Sequence, residues 1–135
     1  MQAQSSGDVL KILAIGGSGG MGRFAVNTLQ DFEAVEQIVV ADINADSAEN
    51  FANEMNDKVS AMSLDVSDVL ALQNAMNGMD AVMNTCGPFF RFGVPILQAA
   101  INARCHYFDI CDDWEPTLEM LALDQAAKDA GVCAT

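Results

Sequence analysis

The stretch AIGGSGGMGR, residues 14–23, decides the fold of this chain because it places five glycines in the seven positions 16–22. It follows an apolar run, residues 9–15, that only Lys11 interrupts, and it precedes an amphipathic segment. An apolar run of this kind is typical of a strand that is covered on both faces. The glycines therefore mark the point where a buried strand passes into a helix.

Three of the five glycines have the spacing G-x-G-x-x-G. In this pattern the first glycine permits a tight turn, the second lets a pyrophosphate approach the backbone, and the third lets the helix pack against the strand. The phosphates would lie on free N–H groups at the positive end of the helix dipole. The pattern alone is weak, but its place between a strand and a helix strengthens it. The predicted phosphate-binding loop consists of Gly17, Ser18, Gly19, Gly20, Met21 and Gly22.

Along the rest of the chain, apolar runs alternate with segments of helical periodicity. Further strands are predicted at residues 37–42, 59–64, 80–85, 105–111 and 132–135. Alternation with short connections predicts an α/β fold, a Rossmann-type doubly wound parallel sheet of about six strands in a three-layer α/β/α arrangement. The predicted domain covers residues 9–135, with residues 1–8 as a flexible leader and the sixth strand cut short by the end of the chain.

Three details of the helices are also predicted from periodicity and from proline and glycine. Pro95 is expected in the first turn of its helix. The last helix is expected to run without interruption from near Pro116 to Gly131. The buried face of the first helix is expected to consist of Met21, Ala25, Leu29 and Phe32.

Asp42 ends the second predicted strand, twenty residues after Gly22. In a dinucleotide-binding fold a carboxylate at this position accepts hydrogen bonds from the adenosine ribose hydroxyls. It favours NAD over NADP because it repels a 2′-phosphate, and no lysine or arginine between Arg23 and Lys58 offsets it. NADP stays an alternative, since rotation of the Asp42 side chain or an arginine from outside this chain would reverse the preference. Without the glycines, a solvated aspartate at a strand end would be the better interpretation.

Two further segments follow predicted strands at the ligand-facing edge. Asp65 is expected to accept from the adenine amino group, and Val66 to contact the face of the base. The segment NTCGPF lies across the point where strand order reverses, where the nicotinamide half is expected. The nicotinamide contacts are predicted from backbone and small side chains of Asn84, Thr85, Cys86 and Gly87, followed by a structural Pro88.

Composition excludes several classes of function. Nineteen acidic residues against six basic ones give a net charge of −13, which repels nucleic acid and anionic lipid. No apolar stretch reaches the roughly 18 residues of a membrane span. The start of the chain lacks the features of a secretory signal, so the cytoplasm is expected. The four cysteines have no metal-binding spacing, and they are predicted to be reduced and buried.

Residues 81–132 carry a resemblance to a known family. The segments NTCGPF, VPILQAA, HYFD and AKDAGV match, in order, an N-x-x-G-P-F turn, a V-P-x-x-x-A-A helix, an H-Y-x-D strand and a helix ending in A-K-x-A-G-V. With the glycine loop, the chain resembles the N-terminal domain of the saccharopine dehydrogenase family. The resemblance implies a nicotinamide cofactor and a reaction that makes or breaks a secondary amine through an imine, with an amino acid or a polyamine as substrate.

The resemblance also implies roles for single residues. The turn from Asn84 to Pro88 would hold the nicotinamide end of the cofactor. His106, Tyr107 and Asp109 would lie near the substrate, and each of them, or Cys86, is a candidate for handling the proton at the amine nitrogen. Packing or hydrogen bonding is the competing interpretation for every one of these four. Many relatives carry a basic residue after the second strand, where this chain has ADINAD.

Three interpretations of the function stay open. The first is the cofactor-binding domain of a larger oxidoreductase, inactive alone because the substrate domain is absent. The second is a module that senses NAD(H) without catalysis. The third, a short reductase acting alone, is opposed by the absence of a Y-x-x-x-K pair. An unfinished sixth strand would also leave an edge that favours a homodimer.

Overall fold

A computed structural model of the chain describes residues 9–135, so the predicted leader, residues 1–8, lies outside the described residues. Five strands and six helices lie along it, and they alternate except that two helices follow the last strand. The strands are β1 (Leu10–Ile15), β2 (Val35–Asp42), β3 (Val59–Ser63), β4 (Ala81–Asn84) and β5 (His106–Asp109). The helices are α1 (Gly20–Leu29), α2 (Ala45–Asn53), α3 (Val69–Met76), α4 (Phe89–Asn102), α5 (Trp114–Leu121) and α6 (Asp124–Ala130).

All strand pairs are parallel, and the strand order is β3-β2-β1-β4-β5. The order reverses between β1 and β4, and the carboxyl ends of all five strands meet at one edge of the sheet. This confirms the Rossmann-type α/β fold. The prediction of about six strands is approximately right. Residues 133–135 run beside β5, where Tyr107 donates its N–H to the Cys133 carbonyl at 2.9 Å, but they form only an isolated bridge at Ala134.

Alternate residues of β1 enter two separate cores. Leu13 and Ile15 belong to the core shared with α3, α4 and α6, whereas Ile12 and Ala14 belong to the core shared with α1 and α2. Each fully buried aliphatic side chain stabilises the fold by about 1.5–3 kcal/mol. The sheet is therefore covered on both faces, as the continuous apolar run predicts.

The predicted face of α1 is right for Ala25 and Leu29 and wrong for Met21 and Phe32. The residues that α1 buries are Gly22 and Val26, whereas Met21 is 59% exposed and Phe32, beyond the end of the helix, is 51% exposed. The cause is the glycine loop, because Gly22 packs directly on it and fixes the rotation of the helix. Ala25 and Leu29 are half-buried and pack against the core shared with α1 and α2, so periodicity alone correctly placed two of the four predicted residues.

Two other helix predictions are also wrong. Helix α4 begins directly after Pro88, so Pro95 lies in its interior rather than in its first turn. The predicted last helix is divided into α5 and α6 around Leu123, whose backbone leaves the helical region and whose side chain packs against the core. In the described residues no helix is long and apolar enough to cross a membrane.

The cysteines have different surroundings. All four are free thiols, as predicted. Cys105 is buried, Cys86 and Cys111 are half-buried, and Cys133 is exposed, so the prediction of four buried side chains holds only for Cys105.

Candidate functional site

The glycine loop joins β1 to α1 by a compact set of backbone hydrogen bonds. Gly16 donates to the Ala41 carbonyl at 2.9 Å, and Gly19 donates to the Gly16 carbonyl at 3.0 Å. Gly19 is the N-cap of α1, and Arg23 donates the first helical bond, to the Gly19 carbonyl at 2.8 Å. Helix geometry therefore leaves the N–H groups of residues 20–22 without an intrahelical acceptor. These donors lie at the positive end of the helix and suit a pyrophosphate.

Two of the three motif glycines are required by close packing. A Cβ on Gly17 would lie 2.9 Å from the Ala14 carbonyl oxygen. A Cβ on Gly22 would lie 2.6 Å from the Cα of Gly17 and collide with the Gly16 carbonyl oxygen. At Gly20 nothing lies within 4 Å of an added Cβ, so this position stays open to a ligand. The loop thus has the close helix–strand contact and the accessible backbone that a dinucleotide needs.

Gly16 is a residue that sequence reasoning did not assign. Its φ of +72° is a left-handed conformation that favours glycine. An added Cβ would also meet the Thr85 carbonyl and the Cys86 N–H, each at 3.1 Å. Gly16 therefore lets the phosphate loop approach the end of β4. The available signal was a glycine standing directly before the G-x-G-x-x-G pattern.

Asp42 lies beside the phosphate loop at the end of β2. The Ser18 hydroxyl donates to Asp42 Oδ2 at 2.6 Å, and the Asn44 N–H donates to Asp42 Oδ1 at 3.2 Å. Ser47, in the first turn of α2, donates its hydroxyl to Ser18 Oγ at 3.2 Å. The structure brings Ser18 and Asp42 together, and their contact with the adenosine ribose stays a prediction. Asn44 and Ser47 join them without having been predicted, although N–x–x–S at a helix start is a recognisable capping pattern.

Asp65 and Val66 follow β3 at the same edge. Asp65 Oδ1 accepts from the Ser67 N–H at 2.9 Å and from the Ser67 hydroxyl at 2.6 Å. These two hydrogen bonds hold the pKa of the exposed Asp65 carboxyl below its usual value. Val66 is half-buried against the core. Asp65 thus supports the turn before α3, and its contact with adenine stays a prediction.

The end of β4 forms the other half of the site. Asn84 is fully buried, and its Oδ1 accepts the Cys86 N–H at 2.9 Å. Thr85 donates both its N–H and its hydroxyl to the Ile15 carbonyl, each at 2.9 Å. Gly87 and Pro88 are exposed, and Pro88 is the N-cap of α4. This turn faces the glycine loop across the point where strand order reverses.

The thiol of Cys86 stays protonated at neutral pH. Burial raises its pKa, and the negative charge of Asp42 raises it further. A raised pKa argues against a thiolate nucleophile at this position.

A chain of polar side chains that runs from the buried Asn84 to the half-exposed Asp109 connects β4 with β5. Asn84 Nδ2 donates to the Tyr107 hydroxyl at 3.1 Å, and this hydroxyl donates to Asp109 Oδ2 at 2.6 Å. Asp109 Oδ1 accepts the Cys111 N–H at 2.9 Å. Burial, together with the hydrogen bond to Asp109, raises the pKa of Tyr107 well above its usual value. Tyr107 and Asp109 therefore lie beside the carboxyl end of β4, with the Tyr107 hydroxyl protonated.

His106 is separated from this edge. It pairs with Ala81 at the amino end of β5, whereas Asp109 pairs with Asn84 at the carboxyl end. Three residues of a strand span about 10 Å. His106 Nδ1 accepts the Cys133 N–H at 3.0 Å, so its ring holds the segment that follows α6. The structure does not bring His106 together with the other candidate residues.

A family model described as the saccharopine dehydrogenase NADP binding domain matches residues 12–135. The chain belongs to this family. It is thus an NAD(P)-binding domain and a homologue of NAD(P)-dependent oxidoreductases, as the resemblance implied.

Solved structures share the fold at low sequence identity. Saccharopine dehydrogenase (L-Glu forming) from Saccharomyces cerevisiae is 21% identical with a TM-score of 0.78, over 93% of this chain and 26% of that chain. Triphenylmethane reductase from Citrobacter sp., complexed with NADP(H), is 20% identical with a TM-score of 0.69, over 92% of this chain and 47% of that chain. A Rossmann-fold NAD(P)-binding protein from Shigella flexneri is 18% identical with a TM-score of 0.68, over 93% of this chain and 65% of that chain. The chain thus spans about a quarter of the saccharopine dehydrogenase that it matches.

Proposed function

We propose that this chain is the cofactor-binding domain of an oxidoreductase that transfers a hydride to or from the imine carbon of an amino-acid or polyamine substrate. The observation that carries the proposal is the meeting of three elements at one sheet edge. The glycine loop contacts Asp42 through Ser18 on one side and the turn after Asn84 through Gly16 on the other. A dinucleotide that crosses a switch point between parallel strands needs this arrangement.

Each part of the edge suits one part of a dinucleotide. The N–H groups at the start of α1 suit the pyrophosphate, and Asp42 suits the hydroxyls of the adenosine ribose. Asp65 and Val66 would border the adenine. The turn from Asn84 to Pro88 would border the nicotinamide. NADH is the tighter cofactor in this proposal, because the Asp42 carboxylate repels a 2′-phosphate.

When bound, a nicotinamide cofactor supplies or accepts the hydride. The chain's own contribution is to orient the turn that borders the ring. Asn84 is held by Tyr107 on one side and holds the Cys86 N–H on the other, so the turn has one preferred conformation. Asp109 is half-exposed and keeps the Tyr107 hydroxyl in place. We assign Tyr107 and Asp109 a positioning role and His106 no role in the reaction.

The cytoplasm is the compartment that best suits the protein. Four free thiols, one of them exposed, support a reducing environment. Pairing of a second copy along residues 133–135 stays a prediction about the oligomer.

Calorimetric titration of the chain with NADH and with NADPH tests the proposal. We expect saturable binding of both, with NADH tighter. Asp42→Asn should weaken NADH binding about tenfold, since it removes a charged acceptor of hydrogen bonds. Asp57→Asn is the matched control, because it removes the same charge from an exposed residue before β3. If neither cofactor binds, the proposal fails; if NADPH binds equally well, the role of Asp42 fails.

A further inference from the structure

Arg23 is the residue at this edge whose surroundings the cofactor proposal leaves unexplained. It follows Gly22 in the first turn of α1 and is half-buried. Its Nε donates to the Ser18 carbonyl at 2.6 Å, and its guanidinium carbon lies 4.7 Å from the centroid of the Phe51 ring. Phe51 belongs to α2 and is only 3% exposed. These two contacts hold the guanidinium in a fixed place between α1 and α2.

Neither contact of Arg23 is with an anion. Across residues 9–135 the only side-chain ion pair joins Lys128 and Asp124. The chain has nineteen acidic residues and six basic ones, so a carboxylate partner would be easy to supply. A half-buried guanidinium that is oriented by an aromatic ring and a carbonyl, with its terminal nitrogens unpaired in this part of the chain, suits an anionic ligand.

The neighbours of Arg23 indicate which anionic group of a ligand its guanidinium would bind. Ser18, whose carbonyl holds Arg23, is the residue whose hydroxyl donates to Asp42. Ser47 donates a further hydroxyl to Ser18 from the start of α2. Arg23 therefore lies on the adenosine side of the loop, close to where Asp42 would meet the ribose. A phosphate on the 2′ position of that ribose would lie among two hydroxyls and one guanidinium.

We propose that Arg23 binds the 2′-phosphate of NADP(H) and so determines how far the chain accepts that cofactor despite Asp42. The proposal rests on the proposed function, because it requires a dinucleotide at this edge. Asp42 and Arg23 act in opposite directions on one ligand group. The carboxylate disfavours the 2′-phosphate, and the guanidinium offsets that repulsion with charge-assisted hydrogen bonds.

Arg23→Gln tests the proposal, since glutamine retains part of the side-chain length and removes the charge. Arg104→Gln is the matched control, because it makes the same change of net charge at an exposed residue before the amino end of β5. Calorimetry should show that Arg23→Gln binds NADPH at least about tenfold more weakly than the unsubstituted chain does. The affinity for NADH should change by less than about threefold. Adenosine 2′,5′-bisphosphate and 5′-AMP, which differ only by the 2′-phosphate, should show the same contrast.

The outcomes separate this inference from the proposed function. If the unsubstituted chain binds no nucleotide, both proposals fail. If it binds NADH and NADPH but Arg23→Gln weakens both equally, Arg23 acts on the pyrophosphate or on the loop, and only this inference fails. An unchanged NADPH affinity overturns it as well. Thermal unfolding of each variant establishes that the fold is retained, and Arg23→Lys, which keeps the charge, should recover part of the NADPH affinity.

Discussion

The Tyr107 hydroxyl donates a 2.6 Å hydrogen bond to the carboxylate of Asp109, two residues further along the same strand. The same hydroxyl accepts from Asn84 Nδ2 at 3.1 Å, so it joins the ends of β4 and β5. Tyr107 is buried, and Asn84 is completely so. Because the buried Tyr107 hydroxyl both accepts a hydrogen bond from Asn84 and donates one to Asp109, it fixes the ends of β4 and β5 relative to each other.

The first prediction concerns the ionisation of Tyr107, the only tyrosine of the chain. Its pKa is raised in the folded state above the unfolded value of about 10, so the folded chain holds this proton more tightly. The resulting stabilisation is fully present below about pH 10 and is lost as the pH rises from there toward the folded pKa. We expect tyrosinate absorbance to appear only together with unfolding, at a pH above 10. The same chain in urea should titrate near 10, and a native chain that ionises near 10 would contradict the prediction.

The second prediction compares two glycines of the phosphate loop. Gly22→Ala should lower the free energy of unfolding by about 1–3 kcal/mol or more, because its Cβ would collide with the Gly16 carbonyl oxygen. Gly20→Ala should leave stability unchanged or raise it by up to about 1 kcal/mol, because its Cβ has open space and alanine favours a helix. Urea unfolding of both variants measures the difference. Equal effects at the two positions would show that the loop is not closely packed at Gly22.

The elements of the candidate site were predictable because parallel strands share an edge. A buried strand, a glycine turn and a helix fix where the loop after β1 lies. Asp42 and Asn84 each stand at the end of a further strand, so the topology alone brings them to the same edge. Their position near the loop could therefore be predicted without knowledge of side-chain packing.

Other features depended on geometry that the sequence pattern does not contain. The rotation of α1 follows from the contact of Gly22 with the loop, which outweighs the periodicity that favoured Met21. Arg23 contacts Ser18 because both residues lie at the start of α1. The family pattern places a basic residue after β2, so it gave no reason to assign Arg23 to the site. His106 and Asp109 belong to one sequence motif, yet the rise along a strand places them at opposite ends of β5.

The third prediction concerns the turn after β3. Ser67 lowers the pKa of Asp65 through its hydroxyl first and its N–H second. Ser67→Ala should therefore move the pKa of Asp65 up toward 3.8, as measured by NMR titration of its carboxyl carbon. Because the folded pKa is depressed, the contribution to stability is present above the unfolded pKa and is lost as the pH falls through the folded one. Ser60→Ala on β3 is the control, and an unchanged Asp65 titration in Ser67→Ala would refute the assignment of this cause.

The fourth prediction separates His106 from the reaction. Its Nδ1 accepts the Cys133 N–H at 3.0 Å, and it lies at the edge of the sheet opposite to the candidate site. His106→Ala should therefore leave the NADH affinity within about twofold of the original, because no contact with the cofactor is lost. Hydrogen exchange at the Cys133 amide should become faster, because this N–H loses its acceptor. Asp109→Asn is the informative contrast, since it changes a carboxylate at the ligand-facing end of the same strand. A loss of NADH affinity in His106→Ala, together with an unchanged exchange rate at the Cys133 amide, would contradict this prediction and indicate that His106 takes part in cofactor binding.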